Sequence, residues 1–460
     1  MKIRLIEPSR RIRAGELLKP NLLLVPSPTL PLIASLTPPE IEIAITNELF
    51  QEIDFEEDVD LVGITAYSTN VHRAYEIADE FRKRDIPVAM GGIHVSMEPE
   101  EARGHADTVF IGEAEETWPQ FINDVSHGAA KDFYRSSAPP PLTNRRPLHF
   151  PKQIESHYIG HQRTWPRLLL KPIYPIETSR GCPFDCDHCL TPVFFGKGVR
   201  FRPVVDVVAE IKDLGARICF FVDDNIFASP QRARELFKAL APLKITWFGQ
   251  ATIGAGEDMD LLRLARQSGC RELCIGLESL SHASLNWVQK KANRIEYYEK
   301  NLANFRKAGI CIAASMMFGF DGEGNDNFKT TRDFLVKNKL PMTYWWPLTP
   351  LPGTRLYQRL LQEKRLKEEK WWLNPESVNQ FLKYTLVDRD EQEFIDLFYR
   401  YYRHFYSWPS MARRLLVPPH ARLLTGLFLN LVARKKLRKK DHFSELLLNF
   451  LNINPKDKSA

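Results

Sequence analysis

The stretch Glu177-Thr178-Ser179-Arg180-Gly181-Cys182-Pro183-Phe184-Asp185-Cys186-Asp187-His188-Cys189 sets three cysteines at CxxxCxxC spacing on one short segment. Three soft thiolates so spaced hold three corners of a [4Fe-4S] cube and leave the fourth iron without a protein ligand. An open iron is a place to bind and activate a small molecule. Two other readings compete. A structural zinc site normally takes four ligands, most often from paired CxxC knuckles, and the chain has no second knuckle. His188 as a fourth ligand adjoins Cys189, which makes joint coordination of one ion awkward. A disulfide would leave one cysteine of the three over and would suit an exported protein.

With an aromatic-like residue, His188, just before the last cysteine, the motif resembles the signature of the radical S-adenosylmethionine superfamily. The resemblance implies that the open iron chelates the amino and carboxylate groups of S-adenosylmethionine and that one electron from the cluster cleaves its carbon to sulfur bond. The resulting 5′-deoxyadenosyl radical takes hydrogen from unreactive carbon.

At 460 residues the chain is too long for one ordinary core, so two or three domains are expected. A hydrophobic share of 44% beside 26% charged residues is that of a soluble globular protein. Seven cysteines without a paired framework suit a reducing cytoplasm. The charged start, Met1-Lys2-Ile3-Arg4-Leu5-Ile6-Glu7, reads as a first strand rather than a signal peptide, and no run reaches the ~18 apolar residues of a spanning helix. A net charge of +6 is modest for this length and argues against nucleic-acid binding.

Working outward from the motif, residues 1–130 carry strand-like runs at 3–7, 41–45, 61–67, 87–92 and 108–112, with a helix-like stretch at 71–83. This alternation argues for a doubly wound, Rossmann-like α/β sheet. Such sheets bind ligands beyond the carboxyl ends of their strands. Those ends carry Thr65, Tyr67 and Ser68, then Gly91, Gly92 and His94, then Gly112 and Glu113. Ordinary strand-to-helix turns use the same residue types. As an ordered set, the three turns resemble the cobalamin-binding domain that precedes the cluster motif in one subgroup of radical S-adenosylmethionine enzymes, and the resemblance implies that these eight residues bind cobalamin. The DxHxxG motif, whose histidine ligates cobalt in the wider cobalamin family, is not in this chain, and His94 is not read as a cobalt ligand. Cobalamin held without a protein histidine and a domain that has lost its cofactor both fit that departure.

Residues 131–170, rich in Pro, Arg and Ser, read as a linker. From 171 to 355 strand and helix alternate, with strands at 173–177, 218–223, 245–250, 272–278, 312–318 and 343–348 and helices at 204–214, 231–240, 259–267 and 301–308. Six such units imply a partial parallel barrel. The resemblance implies the same (β/α)6 partial TIM-barrel with the cluster loop after its first strand. Polar groups end the apolar strands at Asp223, Asn225, Gln250 and Glu278, and the resemblance carries S-adenosylmethionine binding to these four. An acidic residue capping the next helix would look the same. Cys219, Cys270, Cys274 and Cys311 fall at or beside strands and read as core residues rather than a second cluster.

The helical C-terminal region, 356–460, is crowded with aromatic residues, most of them expected in the core. Its nine Lys or Arg without an acid between Arg413 and Lys440, interleaved with leucines, describe a basic amphipathic helix suited to peripheral membrane contact through 411–440. A helix packed on the barrel with a solvated basic face is the plainer alternative. Taken together, the sequence points to a cytoplasmic, cobalamin-dependent C-methyltransferase that uses a [4Fe-4S] cluster and S-adenosylmethionine. Its expected partners are a small-molecule or lipid-like substrate and a one-electron reductant such as flavodoxin or ferredoxin. The rivals are a non-methylating cyclisation, oxidation or carbon to carbon bond formation, and an iron-sulfur electron carrier.

Overall fold

A computed structural model describes residues 1–13, 16–19, 27–143, 173–387, 389–416 and six helical residues between 430 and 437. Its first unit is a six-stranded sheet, Lys2–Glu7, Glu42–Asn47, Leu61–Thr65, Val88–Gly91, Thr108–Ile111 and Phe133–Arg135, paired in parallel throughout. In space the second strand lies outside the first, and the third to sixth follow in order on the other side. The order therefore reverses between Lys2–Glu7 and Leu61–Thr65, the switch point at which such sheets open a ligand crevice. The third strand is buried along its whole length, as a strand covered on both faces must be. The helix Val71–Arg82 supplies part of that cover through Val71, Ala74, Tyr75, Ile77, Ala78 and Phe81, an i, i+3, i+4 stripe. The strand Phe133–Arg135 carries this sheet past the expected boundary at 130. Most of the expected linker lies outside the described residues.

The second unit is also a six-stranded parallel sheet: Ile173–Ile176, Ile218–Phe221, Thr246–Ala251, Cys270–Glu278, Cys311–Phe318 and Met342–Pro347, neighbours in space as in sequence. Alternation sorts its side chains into two faces. Trp247 packs on Phe221 and Phe237, and Trp345 stacks on Tyr402 at 5.1 Å, so these rings face the surrounding helices. The intervening positions Phe248, Gln250, Cys274, Gly276, Ser315, Met317, Tyr344 and Trp346 are half-buried and turn to the concave side. Cys219 and Cys270 are buried, as core cysteines should be.

The C-terminal residues bind the two units together. The helix Glu391–Phe405 closes the sixth barrel strand, where the hydroxyls of Tyr402 and Tyr406 donate to the Thr343 carbonyl at 3.2 and 2.9 Å. Upstream, Tyr357, Trp371, Trp372 and Val378 share one buried cluster with Ile6, Val62 and Ile64 of the first sheet and Ala74 of its covering helix. Glu101 of the first unit accepts from Trp372 Nε1 and Tyr75 Oη, each at 3.0 Å, and pairs with Lys370 at 3.0 Å and His94 at 3.4 Å. Of the basic stretch, residues 417–429, 432, 436 and 438–440 lie outside the described residues. Arg414 departs from the expected solvated face: it is buried, donates to the carbonyls of Leu340, Pro341 and Phe405, and stands 3.6 Å from the Phe405 ring centre. Among the described residues no helix is long and apolar enough to cross a membrane.

Burial alone would raise the Glu101 pKa, but the donors from His94, Lys370, Trp372 and Tyr75 reverse this and bring it down to about 2. Because its folded pKa is depressed, the stabilisation is complete above the ordinary value of 4.5 and is lost as pH falls toward 2. Glu101→Gln is expected to cost roughly 2 kcal/mol at neutral pH. In thermal unfolding the gap from wild type should narrow below pH 4.5; a gap that does not change with pH would show that the charge is not what matters.

Candidate cofactor site

The cluster loop leaves the first barrel strand through a buried junction. The Asp223 carboxylate accepts from Thr178 N and Oγ1, each at 2.7 Å, and from Ser179 N at 2.6 Å. Burial pushes Asp223 up to about 7, against the pull of these donors. Asp224 holds the next turn, accepting from Gly181 N at 3.3 Å and Thr191 Oγ1 at 2.9 Å. From the far side Arg355 reaches Asp187 at 2.7 Å and Asp185 at 2.9 Å, while Leu356 N donates to the Asp187 carbonyl at 2.9 Å. The loop is thus braced both before and after its cysteines.

Cys186 is buried and Cys182 and Cys189 are half-buried. Burial pushes the Cys182 thiol up and the Cys186 thiol up to about 11. Such thiols become thiolates when a metal takes the proton's place. Among the described residues no three His, Cys, Asp or Glu side chains gather closely enough to hold a single metal ion. A cube asks something different, since each thiolate binds its own iron. His188 is buried and burial lowers it to about 4, leaving a neutral ring. The donor set fits a cluster held by Cys182, Cys186 and Cys189.

Of the other barrel positions read from the sequence, Gln250 lies on the concave face and Asn225 Oδ1 accepts from Phe227 N at 3.2 Å. Asp223 is placed differently from the expectation: its carboxylate braces the loop. Glu278 is unusual. It has φ +63, follows a break in strand register, and pairs through Oε1 with Lys290 at 2.9 Å. Its other oxygen is buried with no hydrogen-bond partner in the protein. A side chain at Gly276 would lie 2.1 Å from that Oε1, so glycine is what makes room for the pair. Strain and an unmet acceptor thus meet at one strand end, and an acceptor so placed is compatible with the positive groups of S-adenosylmethionine. The segment bearing Lys290 is tied to the cluster loop, Asp187 N donating to the Val288 carbonyl at 2.9 Å.

At the switch point of the first sheet lies a cavity of about 290 Å³. Its deep part is apolar, with Leu5, Gly63, Ala89, Phe110 and Trp118 on its walls. A Cβ at Gly63 would sit 2.8 Å from Leu5, and one at Gly92, φ +108, would sit 2.7 Å from the Ala66 carbonyl oxygen. Thr65, Tyr67, Gly91, Gly92, Gly112 and Glu113 line the cavity. Ser68 and His94 do not: they bond to each other at 3.0 Å beneath the rim. The wall is completed from the barrel side by Glu177, Arg180, Phe194, Phe195 and Val222. A cavity with an apolar depth and a glycine rim fits a large, flat cofactor with a buried tail.

Sequence reasoning missed Arg180, quoted within the motif but given no role. It is buried and pairs with Glu113, with Glu115 at 2.6 Å and with Glu177 at 2.8 Å. Burial would lower its pKa, but Glu177, Glu115 and Glu113 hold it above the ordinary arginine value. Lys290 and Glu101 were missed as well; their side-chain partners stand from 7 to 271 positions away, and no local pattern signals them.

Comparison with known proteins gives concordant results. Residues 176–335 match the Radical SAM superfamily and residues 40–122 the B12 binding domain. The chain is 31% identical to the bacteriochlorophyllide d C-8(2)-methyltransferase of Chlorobaculum tepidum over 88% of its own length and 90% of that protein. It is 25% identical to the hopanoid C-2 methylase of Rhodopseudomonas palustris over 61% of its length and 54% of that protein. The fold resembles that of the cobalamin-dependent S-adenosylmethionine radical enzyme OxsB with aqua-cobalamin bound, with a TM-score of 0.66 at 15% identity, covering 98% of this chain and 75% of that one. It also resembles the methyltransferase TsrM of Kitasatospora setae with cobalamin and [4Fe-4S] cluster bound, with a TM-score of 0.59 at 19% identity, covering 79% and 78%.

Cys186→Ala is expected to abolish cluster assembly, read as iron and sulfide per chain after anaerobic reconstitution; full iron in the variant would refute the assignment. Gly92→Ala should weaken hydroxocobalamin binding by at least ~10-fold through loss of the rim turn while leaving iron content at the wild-type level. Equal affinity in a spectrophotometric titration would remove this rim from the cofactor site.

Proposed function

Because the chain belongs to the cobalamin-binding radical S-adenosylmethionine methyltransferases, with both domain families present and a relative at 31% identity across nearly its full length, we propose that it methylates an unactivated carbon of a flat, largely apolar small molecule of the tetrapyrrole class. The observation that carries this reading is the shared wall. Residues on both sides of the cysteine triplet, Arg180 before it and Phe194 and Phe195 after it, line the cavity at the sheet switch point. Two cofactor sites meeting at one junction suit a reaction in which a carbon opened at one receives a methyl group from the other.

When bound, the cluster supplies the electron that cleaves S-adenosylmethionine, and the cobalamin carries the methyl group. The protein's own residues do the rest. Cys182, Cys186 and Cys189 hold the cluster, and the free Glu278 oxygen, with Gln250 and Asn225, receives S-adenosylmethionine. Phe220, Phe248, Met317, Tyr344 and Trp346 give the concave barrel face an aromatic, apolar lining suited to a planar ring system. That lining agrees with the relative that acts on a bacteriochlorophyllide. Two molecules of S-adenosylmethionine are consumed per methyl group: one yields methionine and 5′-deoxyadenosine, which carries the hydrogen from the substrate carbon, and one yields S-adenosylhomocysteine. The two electrons required come from a one-electron donor of the flavodoxin or ferredoxin type. The enzyme works in a reducing cytoplasm, and the basic residues of 411–440 other than the buried Arg414 bring it to an anionic membrane surface where apolar substrates collect.

Anaerobic turnover with reduced flavodoxin and bacteriochlorophyllide d should give a product heavier by one methylene, with 5′-deoxyadenosine and S-adenosylhomocysteine in equal amounts. Methylation of a hopene in place of the tetrapyrrole would overturn the substrate class. 5′-Deoxyadenosine without S-adenosylhomocysteine would overturn methyl transfer itself.

A further inference from the structure

The three cysteines lie in a loop whose two stems are Arg180 and Arg200. These residues stand directly opposite each other in a short antiparallel ribbon, Ser179–Arg180 against Arg200–Phe201. The stems approach so closely that a side chain at Gly181 would lie 2.4 Å from the Gly198 carbonyl oxygen. Both guanidinium groups reach across to the same carboxylate, that of Glu113, on the turn after the fifth strand of the first sheet. Arg180 donates to Oε2; Arg200 donates to Oε1 and, at 3.1 Å, to Oε2. The Glu113 side chain is 4% exposed and that of Arg180 6%, which takes this contact out of the class of weak surface ion pairs. Arg200 also donates to the Pro140 carbonyl at 2.6 Å, on the segment that leaves the first unit.

We propose that Glu113 is a positioning residue for methyl transfer: by fastening both stems of the cluster loop to the rim of the switch-point cavity, it sets the cluster and the cobalamin at a fixed separation. The inference rests on the two-cofactor reading above. A buried carboxylate that accepts charge-assisted bonds from two arginines is geometrically demanding. Removing one partner leaves charge uncompensated in the interior, so the joint is held or lost as a unit. Methyl transfer to a short-lived carbon radical needs that rigidity, since a displacement of about 1 Å can cost on the order of 100-fold in rate. Cleavage of S-adenosylmethionine, which takes place at the cluster alone, does not need it. Loosening the joint should therefore uncouple the two half-reactions.

Arg200 offers the cleanest test, because it holds Glu113 yet is not among the residues lining the cavity. Arg200→Gln in the full chain, reconstituted with iron, sulfide and hydroxocobalamin, should keep its iron. Its ratio of 5′-deoxyadenosine to methylated product should rise at least ~10-fold over wild type. In electron paramagnetic resonance, the broadening of the cobalt(II) signal by the reduced cluster, which reports the separation of the two centres, should become weaker and more dispersed. Arg200→Lys, which keeps the charge but not the fork, should fall between. Wild-type ratio and wild-type broadening in a loaded Arg200→Gln chain would overturn the proposal while leaving the methyltransferase reading standing. A wild-type chain that takes up iron but no cobalamin would instead overturn the two-cofactor reading and the proposal with it.

Discussion

Everything that happens at the cluster depends on how the chain leaves the first barrel strand, and that exit is governed by one buried carboxylate. Asp223, at the end of the second strand, captures two successive backbone N–H groups and one hydroxyl of Thr178 and Ser179 at the end of the first. Those N–H groups would otherwise be orphaned where the strand gives way to the loop, and a buried donor left unmet is costly. Meeting them from a neighbouring strand fixes the first residues of the loop relative to the barrel itself. The direction in which the cysteines are presented is therefore a property of the barrel sheet.

Beyond that junction the loop is held, besides its own pairs Arg180–Glu177 and Lys197–Asp185, by groups contributed from distant parts of the chain. Glu113 comes from the first sheet, Arg355 and Arg359 from the helix after the barrel, and Val288 from the segment beyond the strained end of the fourth strand. An isolated loop of this length would pay a large entropic cost to keep three thiols in place. Here that ordering is spread over contacts from three parts of the chain.

The parts of this design that the sequence discloses are the local ones. The cysteine spacing, the apolar strands and the glycine at position 92 each express a constraint satisfied within a few residues, so they can be read off in order. The contacts that join one region to another could not be read this way. Arg180 meets Glu113 across 67 positions and Trp372 meets Glu101 across 271; only the fold brings such partners together. The same limit explains Asp223 and His94. Each has the right residue type at a strand end, but whether a side chain turns to the ligand or back to brace its own turn depends on packing that periodicity does not encode. The sheet boundary slipped for a related reason, because a three-residue edge strand at 133–135 gives too short a pattern to recognise.

The shared cluster of Trp371 and Trp372 with Ile6, Val62 and Ile64 has a consequence for how the protein is made. Synthesis runs from the N-terminus, and domains generally fold as they emerge. The first sheet is complete long before the residues that cover part of its apolar core leave the ribosome. During that interval it presents an unfinished hydrophobic face, the kind of surface that chaperones hold and that aggregation exploits. A fragment ending at the boundary between the two sheets would keep that face for good, so the cofactor domains of this chain are separable on paper but interdependent in biogenesis.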